Sequence, residues 1–416
     1  MVCAVKVKNF KMSGGEPYVI LLGNDGIPLC YPNLFVTSKH RNVGDSTNTC
    51  RAVFARIAFL LEILKFMNID LEKRLRQGET LKDSEVELLL RYARFKVKEF
   101  REHVVKNQAQ NVHTLATTAK SIKTKDVTFV VQENFENSSG TIYNRITTFA
   151  QYIGWLESEI IGVEVSRTES RIKARRPKKV STSFVEYKSL TEEQVAKVLD
   201  VVSPHSDQNP WPRDIHLRHR NHLLIKIFND TGARRGEVAK LKISDLITDH
   251  TSRRYFNITK EADNSDIRSD RPEAKTLGRK FPIGSRLNTL LDDYIIDHRS
   301  QVYGSEHIEY LFVTHHLKTK RNNALSLPSI GKIFRDISEV VGFAVSPHSF
   351  RHTWNDRFSQ NADNRIARGE TTPAKAEKDR QKLMGWTESS KMAMYYSRRY
   401  ADDSAYKTGL LLQGDS

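Results

Sequence analysis

The chain has 416 residues, with 66 Lys and Arg against 50 Asp and Glu, a formal charge of +16. Hydrophobic residues make up 38%, enough for packed cores, so a disordered polymer is excluded; no run reaches the roughly 18 apolar residues of a membrane span. The cationic surplus points to a polyanionic partner, nucleic acid or an anionic surface. The N-terminus, MVCAVKVKNFKM, lacks the apolar stretch of a secretory signal. Cys3, Cys30 and Cys50 form no CxxC pair, which argues against a cysteine-built zinc site and a disulfide framework and fits a cytoplasmic location.

Residues 1–45 read as a β-rich or irregular arm, either a hairpin packed on the next domain or a segment that touches DNA. Tyr18–Leu22 suits a strand, Asn24-Asp25-Gly26 a turn, and Ile27–Tyr31 a returning strand. Residues 46–165 read as a helical domain. Phe54, Ile57, Leu61 and Leu64 recur at steps of three and four and share one helix face. Ser84 and Glu87 form a capping-box pattern before Leu89, Leu90 and Ala93, and Ile142, Ile146, Phe149, Ile153 and Leu156 make a further stripe. The basic residues between the stripes, among them Arg56, Arg91 and Lys98, are either a solvated surface or a face that tracks phosphates.

Residues 166–189 read as a basic linker. Arg167, Arg171, Lys173, Arg175, Arg176, Lys178 and Lys179 fall within thirteen residues, against Glu169 alone. Such a connector can lie along a nucleic-acid backbone and release counterions; otherwise it is a solvated spacer. These seven are the DNA-binding candidates. Residues 190–416 open with the cap Thr191-Glu192-Glu193-Gln194 and the face Val195, Val198, Leu199 and Val202. Helical periodicity returns at Asn221–Phe228. Tyr255–Thr259 and Arg279–Ile283 suit short strands, Tyr310–Thr314 a third extended piece, and helices follow from Ser329. The expected fold class is mainly α with a small antiparallel β-sheet in the C-terminal domain.

Four patterns in this last domain carry chemistry. In Thr231-Gly232-Ala233-Arg234-Arg235-Gly236-Glu237, Gly232 can end one helix and Arg234 open the next, where a guanidinium and backbone N–H groups suit an oxyanion. Glu237, one turn on, can hold that arginine. Lys275 precedes the strand at Arg279 and can donate a proton. His348 and Arg351, three apart, share a helix face and are followed by His352. No carboxylate or cysteine stands at a recognised metal spacing from this box, so its metal reading is poor. Gly385-Trp386 is followed nine residues on by Tyr395; Tyr396 is adjacent, and at most one of the two is expected to face a site. Read singly, each pattern is more often a surface pair, a loop lysine or a packing aromatic. Together they suit phosphodiester transfer: two guanidiniums neutralise the charge that spreads over the phosphate oxygens, and a phenol attacks phosphorus. No GxxxxGK[ST] loop is present, in keeping with chemistry that needs no ATP.

These motifs resemble those of the tyrosine recombinase, or phage integrase, family. Its TG-x-R-x-x-E-x-x-x-L pattern is matched by Thr231, Gly232, Arg234, Glu237 and Leu241. Its hairpin lysine is matched by Lys275, its H-x-x-R-H-T box by His348, Arg351, His352 and Thr353, its G-[HW] box by Gly385 and Trp386, and its nucleophile by Tyr395. The resemblance implies that Arg234 and Arg351 hold the scissile phosphate, that His348 and Trp386 hydrogen-bond it or assist proton transfer, that Lys275 is the general acid, and that Tyr395 forms a 3′-phosphotyrosine. Glu237 and His352 would support them. It further implies that residues 46–165 are a core-binding domain, that two domains clamp a duplex bearing inverted-repeat core sites, and that protomers act as a dimer on each site and a tetramer in synapsis. No metal or other cofactor and no membrane are implied. Tryptophan at 386 in place of the commoner histidine, and the long polar stretch Ser359–Gln381, depart from the commoner pattern. A type IB topoisomerase-like relaxing enzyme and a regulator that keeps the fold without catalysis are the alternatives.

Overall fold

The structure is a computed structural model that describes residues 5–13, 16–115, 136–178, 187–212, 214–259, 266, 268, 276–315, 322–390 and 392–413. The chain divides into two units, 1–183 and 184–416, each with its own hydrophobic core.

In the first unit, β1 (Lys6–Lys11) pairs antiparallel with β2 (Pro17–Leu22). The expected return strand at 27–31 does not form. Pro28 has no N–H to extend a ladder, and a single bridge from Leu22 to Pro28 is all that pairs there. The Asn33 side chain instead bonds both backbone groups of Leu21 (3.0 and 2.8 Å), and the chain turns into α1 (Cys30–Val36). Within residues 1–45, Val19, Leu21, Phe35 and Val36 are buried in the helical core.

That core is built by α2 (Thr47–Phe66), α3 (Leu71–Arg76), α4 (Asp83–Ala93), α5 (Val97–Leu115) and α6 (Ser139–Ile161). Phe54, Ile57 and Leu64 are buried on α2, and all five residues of the stripe from Ile142 to Leu156 are buried on α6. Helix α4 starts one residue earlier than its expected cap, because the Glu85 carboxylate, rather than Glu87, accepts the Lys82 N–H (2.9 Å). A helix forms at the start of the basic stretch. Ser166 caps α7 (Arg167–Ala174), and Ile172 is fully buried. Ile172 and Thr168 are the buried residues that dock this short, largely polar helix. Arg171 donates to Leu81 O (2.7 Å) and pairs with Asp83, Arg175 pairs with Glu87, Lys173 with Glu169, and Arg176 donates to Tyr143 and Thr147 hydroxyls. Arg167 and Lys178 are exposed, and Lys179 lies outside the described residues.

The second unit begins with the capping box Thr191–Gln194 and α8 (Glu192–Val201), as its sequence implies. α9 (Ile215–Thr231) ends at Gly232 and is followed by α10 (Arg235–Lys240). A three-stranded antiparallel sheet follows, β3 (Leu246–Thr248), β4 (Arg254–Ile258) and β5 (Arg279–Pro282), in that spatial order. Tyr310–Thr314 is not part of it: isolated bridges to Lys242 and Ala324 take its place, and Leu246–Thr248 supplies the third strand. α11 (Ser285–Asp293) continues as a π-helical turn, Tyr294–Arg299. α12 (Leu327–Val341), α13 (Pro347–Ala367), α14 (Pro373–Met384), α15 (Met392–Tyr396) and α16 (Arg398–Gln413) complete the unit. The polar stretch 359–381 is thus the last two turns of α13 and most of α14. α13 packs on α9, with Phe228, Phe334 and Phe350 meeting edge to face in the core. The fold is mainly α with small antiparallel sheets, and among the described residues no helix is long and apolar enough to cross a membrane.

Candidate active site

The site is built where α9 hands over to α10 and both meet the first turn of α13. Gly232 ends α9 at φ +59°, in the left-handed region. A Cβ there would stand 2.9 Å from Trp354 Cγ, so only glycine lets α13 approach this closely. The reversal sets Arg234 as the N-cap of α10. Its own N–H donates to Glu237 Oε2 (2.9 Å), and its Nη1 stands 3.7 Å from Glu237 Oε1.

Glu237 is the buried hub. Arg279 on β5 donates to both its oxygens (2.8 and 3.3 Å), and the Thr276 hydroxyl donates to Oε1. Burial alone would raise this carboxyl; the Arg279 guanidinium outweighs it, and the group sits at about 2. Gly385, at φ +64°, lies against Thr276 and Leu277, and its carbonyl accepts the Leu277 N–H (3.0 Å). The residues that follow Lys275 are therefore clamped to the turn that carries Trp386. Lys275 itself lies outside the described residues.

Ser346 caps α13, with Pro347 in its first turn, which places His348, Arg351 and His352 on the helix's opening turns. Arg351 is 1% exposed. Its guanidinium donates to Gly232 O (2.8 Å) and Met384 O (3.3 Å) and lies 5.0 Å from the Tyr396 ring centre. Burial and the nearby Arg234 charge depress it to about 10, so it stays cationic at neutral pH. His348 is held below its ordinary range by burial, then by the Lys188, Arg351 and Arg234 charges. His352 falls to about 4 through burial and His348. Its Nδ1 faces the Tyr396 carbonyl (3.2 Å), which can only accept, so Nδ1 carries the proton and Nε2 presents a lone pair.

The two tyrosines separate cleanly. Tyr396 is buried, with its ring stacked on Trp386 at 5.7 Å and 10°. Tyr395 is 48% exposed, with its ring centre 5.5 Å from His352 and 6.5 Å from His348. Lys188 donates to its hydroxyl (3.2 Å). Lys188 was not singled out from the sequence. It is held near the site because the Leu190 N–H donates to Thr353 Oγ1 (2.8 Å) on α13, and no local motif announces such a contact. The polar stretch also acts here: Arg380 donates to Ser359 and Ser397 hydroxyls (2.9 Å each), fixing the chain just past Tyr396.

Among the described residues, Arg234 Nη1, Arg351 Nε and Trp386 Nε1 are buried donors without a hydrogen-bond partner. Buried donors normally find partners, and their gathering beside two guanidiniums describes a receptor for an oxyanion. Of the candidates, Arg234, Glu237, His348, Arg351, His352, Trp386 and Tyr395 are thus assembled in one unit. The basic candidates of 167–178 belong to the other.

An anion receptor with an exposed phenol at its edge defines a class, and comparison with known proteins narrows it. Within the second unit, residues 188–369 match the model of the phage integrase family. The match stops short of Trp386 and Tyr395. Among curated proteins, the tyrosine recombinase XerA of Pyrococcus furiosus is 27% identical over 167 residues, 40% of this chain. The aligned stretch spans 46% of that relative, about half its length. Solved structures aligned with the chain include XerA recombinase (17% identity, 92% of this chain and 97% of that one, TM-score 0.36). A lambda integrase dimer bound to a COC′ core site aligns at 15% identity over 88% of this chain and 76% of that one, TM-score 0.43. XerH recombinase in a post-cleavage complex with palindromic difH aligns at 15% over 86% and 97%, TM-score 0.43.

Proposed function

We propose that the protein is a site-specific DNA recombinase that cuts and rejoins strands through a covalent 3′-phosphotyrosine. The observation that carries this reading is the set of buried, unpartnered donors around Arg351 beside the exposed Tyr395. Arg234, Arg351 and Trp386 bind the non-bridging oxygens of the scissile phosphate, where charge accumulates in the transition state. Glu237 orients Arg234. Tyr395 Oη bonds to phosphorus as the bond to the 5′-oxygen breaks. The phenol proton passes to the neutral His348–His352 pair, and Lys275 protonates the leaving 5′-oxygen. Lys188, already donating to the phenol oxygen, favours its negative charge. The ester conserves the energy of the broken linkage, so rejoining is the same step reversed. Exposed cations such as Arg167 and Lys178 contact backbone phosphates and make binding salt-dependent. Duplexes bearing inverted-repeat core sites, bound by a dimer at each site and a tetramer in synapsis, are the partners.

The test is adduct capture. Nicked duplex fragments, including DNA flanking the gene, are incubated with the protein, and covalent complexes are isolated and sequenced. The expected result is an adduct at one recurrent inverted repeat, lost in Tyr395→Phe and kept in Tyr396→Phe. Binding to DNA without any adduct, in every fragment tried, refutes catalysis and leaves a DNA-binding regulator. An adduct without strand exchange between two sites supports the relaxing enzyme instead.

A further inference from the structure

The N-terminal half of α9 carries histidines that the proposed reaction does not use. His216 and His219 stand three apart on one face of the helix and meet the junction where α11 passes into its π-helical turn. There His219 Nδ1 lies 3.2 Å and His298 Nε2 lies 3.8 Å from the same oxygen, Asp293 Oδ2. The two imidazoles stack face to face, with ring centres 3.6 Å apart and planes 27° apart. One ligand atom from each of His219, Asp293 and His298 falls within 4.8 Å of the others. The far nitrogen of His298, Nδ1, lies 3.0 Å from His216 Nδ1.

We infer that His219, Asp293 and His298 form a binding site for one borderline divalent cation of the zinc type. Two imidazole nitrogens and one carboxylate oxygen are a ligand set that suits Zn²⁺ or Co²⁺ and not Ca²⁺ or Mg²⁺, which prefer all-oxygen shells. In a tetrahedral site with bonds of about 2.1 Å the ligand atoms stand about 3.4 Å apart, close to the two separations already present here. The ion takes the place of the proton that His219 now shares with Asp293; that proton moves to His219 Nε2, so the imidazole binds neutral. His298 binds through Nε2 and keeps its other proton for His216, whose ring fixes the orientation of the ligand from behind. The fourth position is left to water, and Asp293, at 40% side-chain exposure, provides the way in.

The site is structural. His219 lies twelve residues before the end of α9, roughly 18 Å along the helix from the turn that sets Arg234. Its effect is to pin the first turns of α9 to the end of α11 at the polar edge of their shared apolar contact. The inference is independent of the reaction proposed above.

The experiment is a cobalt titration of the full chain after treatment with chelator. The expected result is the visible spectrum of tetrahedral Co²⁺ saturating at one equivalent, displaced by Zn²⁺, with a higher melting temperature for the loaded protein. His219→Gln and Asp293→Asn abolish the signal, and His216→Ala, which removes no ligand, weakens binding about tenfold to a hundredfold. Should the ligand variants misfold, the His216→Ala affinity decides. Absence of saturable binding, or equal affinity in His216→Ala, overturns the inference whatever the state of DNA cleavage.

Discussion

Glu237→Gln isolates the charge at the centre of the candidate site while keeping its shape. The carboxyl sits at about 2 instead of its ordinary 4.5, because the pull of Arg279 exceeds the burial penalty. At about 1.4 kcal/mol per pH unit, that gap amounts to about 3 kcal/mol of stability from ionised Glu237 at neutral pH. A depressed carboxyl contributes fully above its unfolded value and loses the contribution as pH falls towards its folded one. Glutamine cannot titrate, and it leaves Arg279, whose side chain is 2% exposed, without its counter-charge. Breaking a buried pair from one side costs about 3–5 kcal/mol. Urea unfolding should therefore show Glu237→Gln less stable by that amount near neutrality. The difference should shrink by about 2 kcal/mol between about pH 6 and about pH 3, because over that range the unfolded chain's carboxyl takes up a proton while the folded one stays largely ionised. Parallel stability curves across that range, or a loss below about 1 kcal/mol, would refute the account of Glu237 as an ionised hub.

Trp386→Phe keeps the stack on Tyr396 and removes only the indole N–H. That donor has no partner in the folded chain, so urea stability should move by less than about 1 kcal/mol, while adduct formation falls about a hundredfold, as for other single oxyanion donors. Trp386→His should recover much of the rate. Lys188→Ala removes a charge that holds His348 down, so the acid limb of the cleavage rate, set by protonation of His348, should move to higher pH; an unmoved limb separates Lys188 from the site. Gly385→Ala forces a side chain into a left-handed position 2.7 Å from the Leu277 carbonyl and should cost about 1–3 kcal/mol or more in urea.

What the sequence made legible follows from where the information is stored. Periodic stripes predicted α2 and α6 because burial on one helix face is written into spacing. The TG-x-R and H-x-x-R-H boxes were readable because each is a cap plus its first turn, so chemistry and local structure coincide. The failures lie where tertiary contact overrides local pattern. Ile27–Tyr31 alternates like a strand, but Pro28 and the Asn33 side chain end the ladder. The stretch from Arg167 reads as a basic connector by charge, yet a buried isoleucine and a serine cap fold Arg167–Ala174 into a helix. Lys188 and the histidine cluster on α9 could not be found at all, because their partners are some 200 and 80 residues distant.

The choice between neighbouring tyrosines carries a mechanical consequence. Tyr396 stacks on Trp386 and lies against the Arg351 guanidinium, its carbonyl engages His352, and Arg380 grips the next residue. The reactive phenol is thus one peptide unit from a latch. A protomer that lent its nucleophile to another copy would first have to unplug that ring, giving up a stacked pair of about 1 kcal/mol and the burial beneath it. Under the proposed reaction, lending the phenol would also uncover the Trp386 ring and the Arg351 guanidinium that Tyr396 lies against, so donating the nucleophile and holding a phosphate in the same subunit would compete.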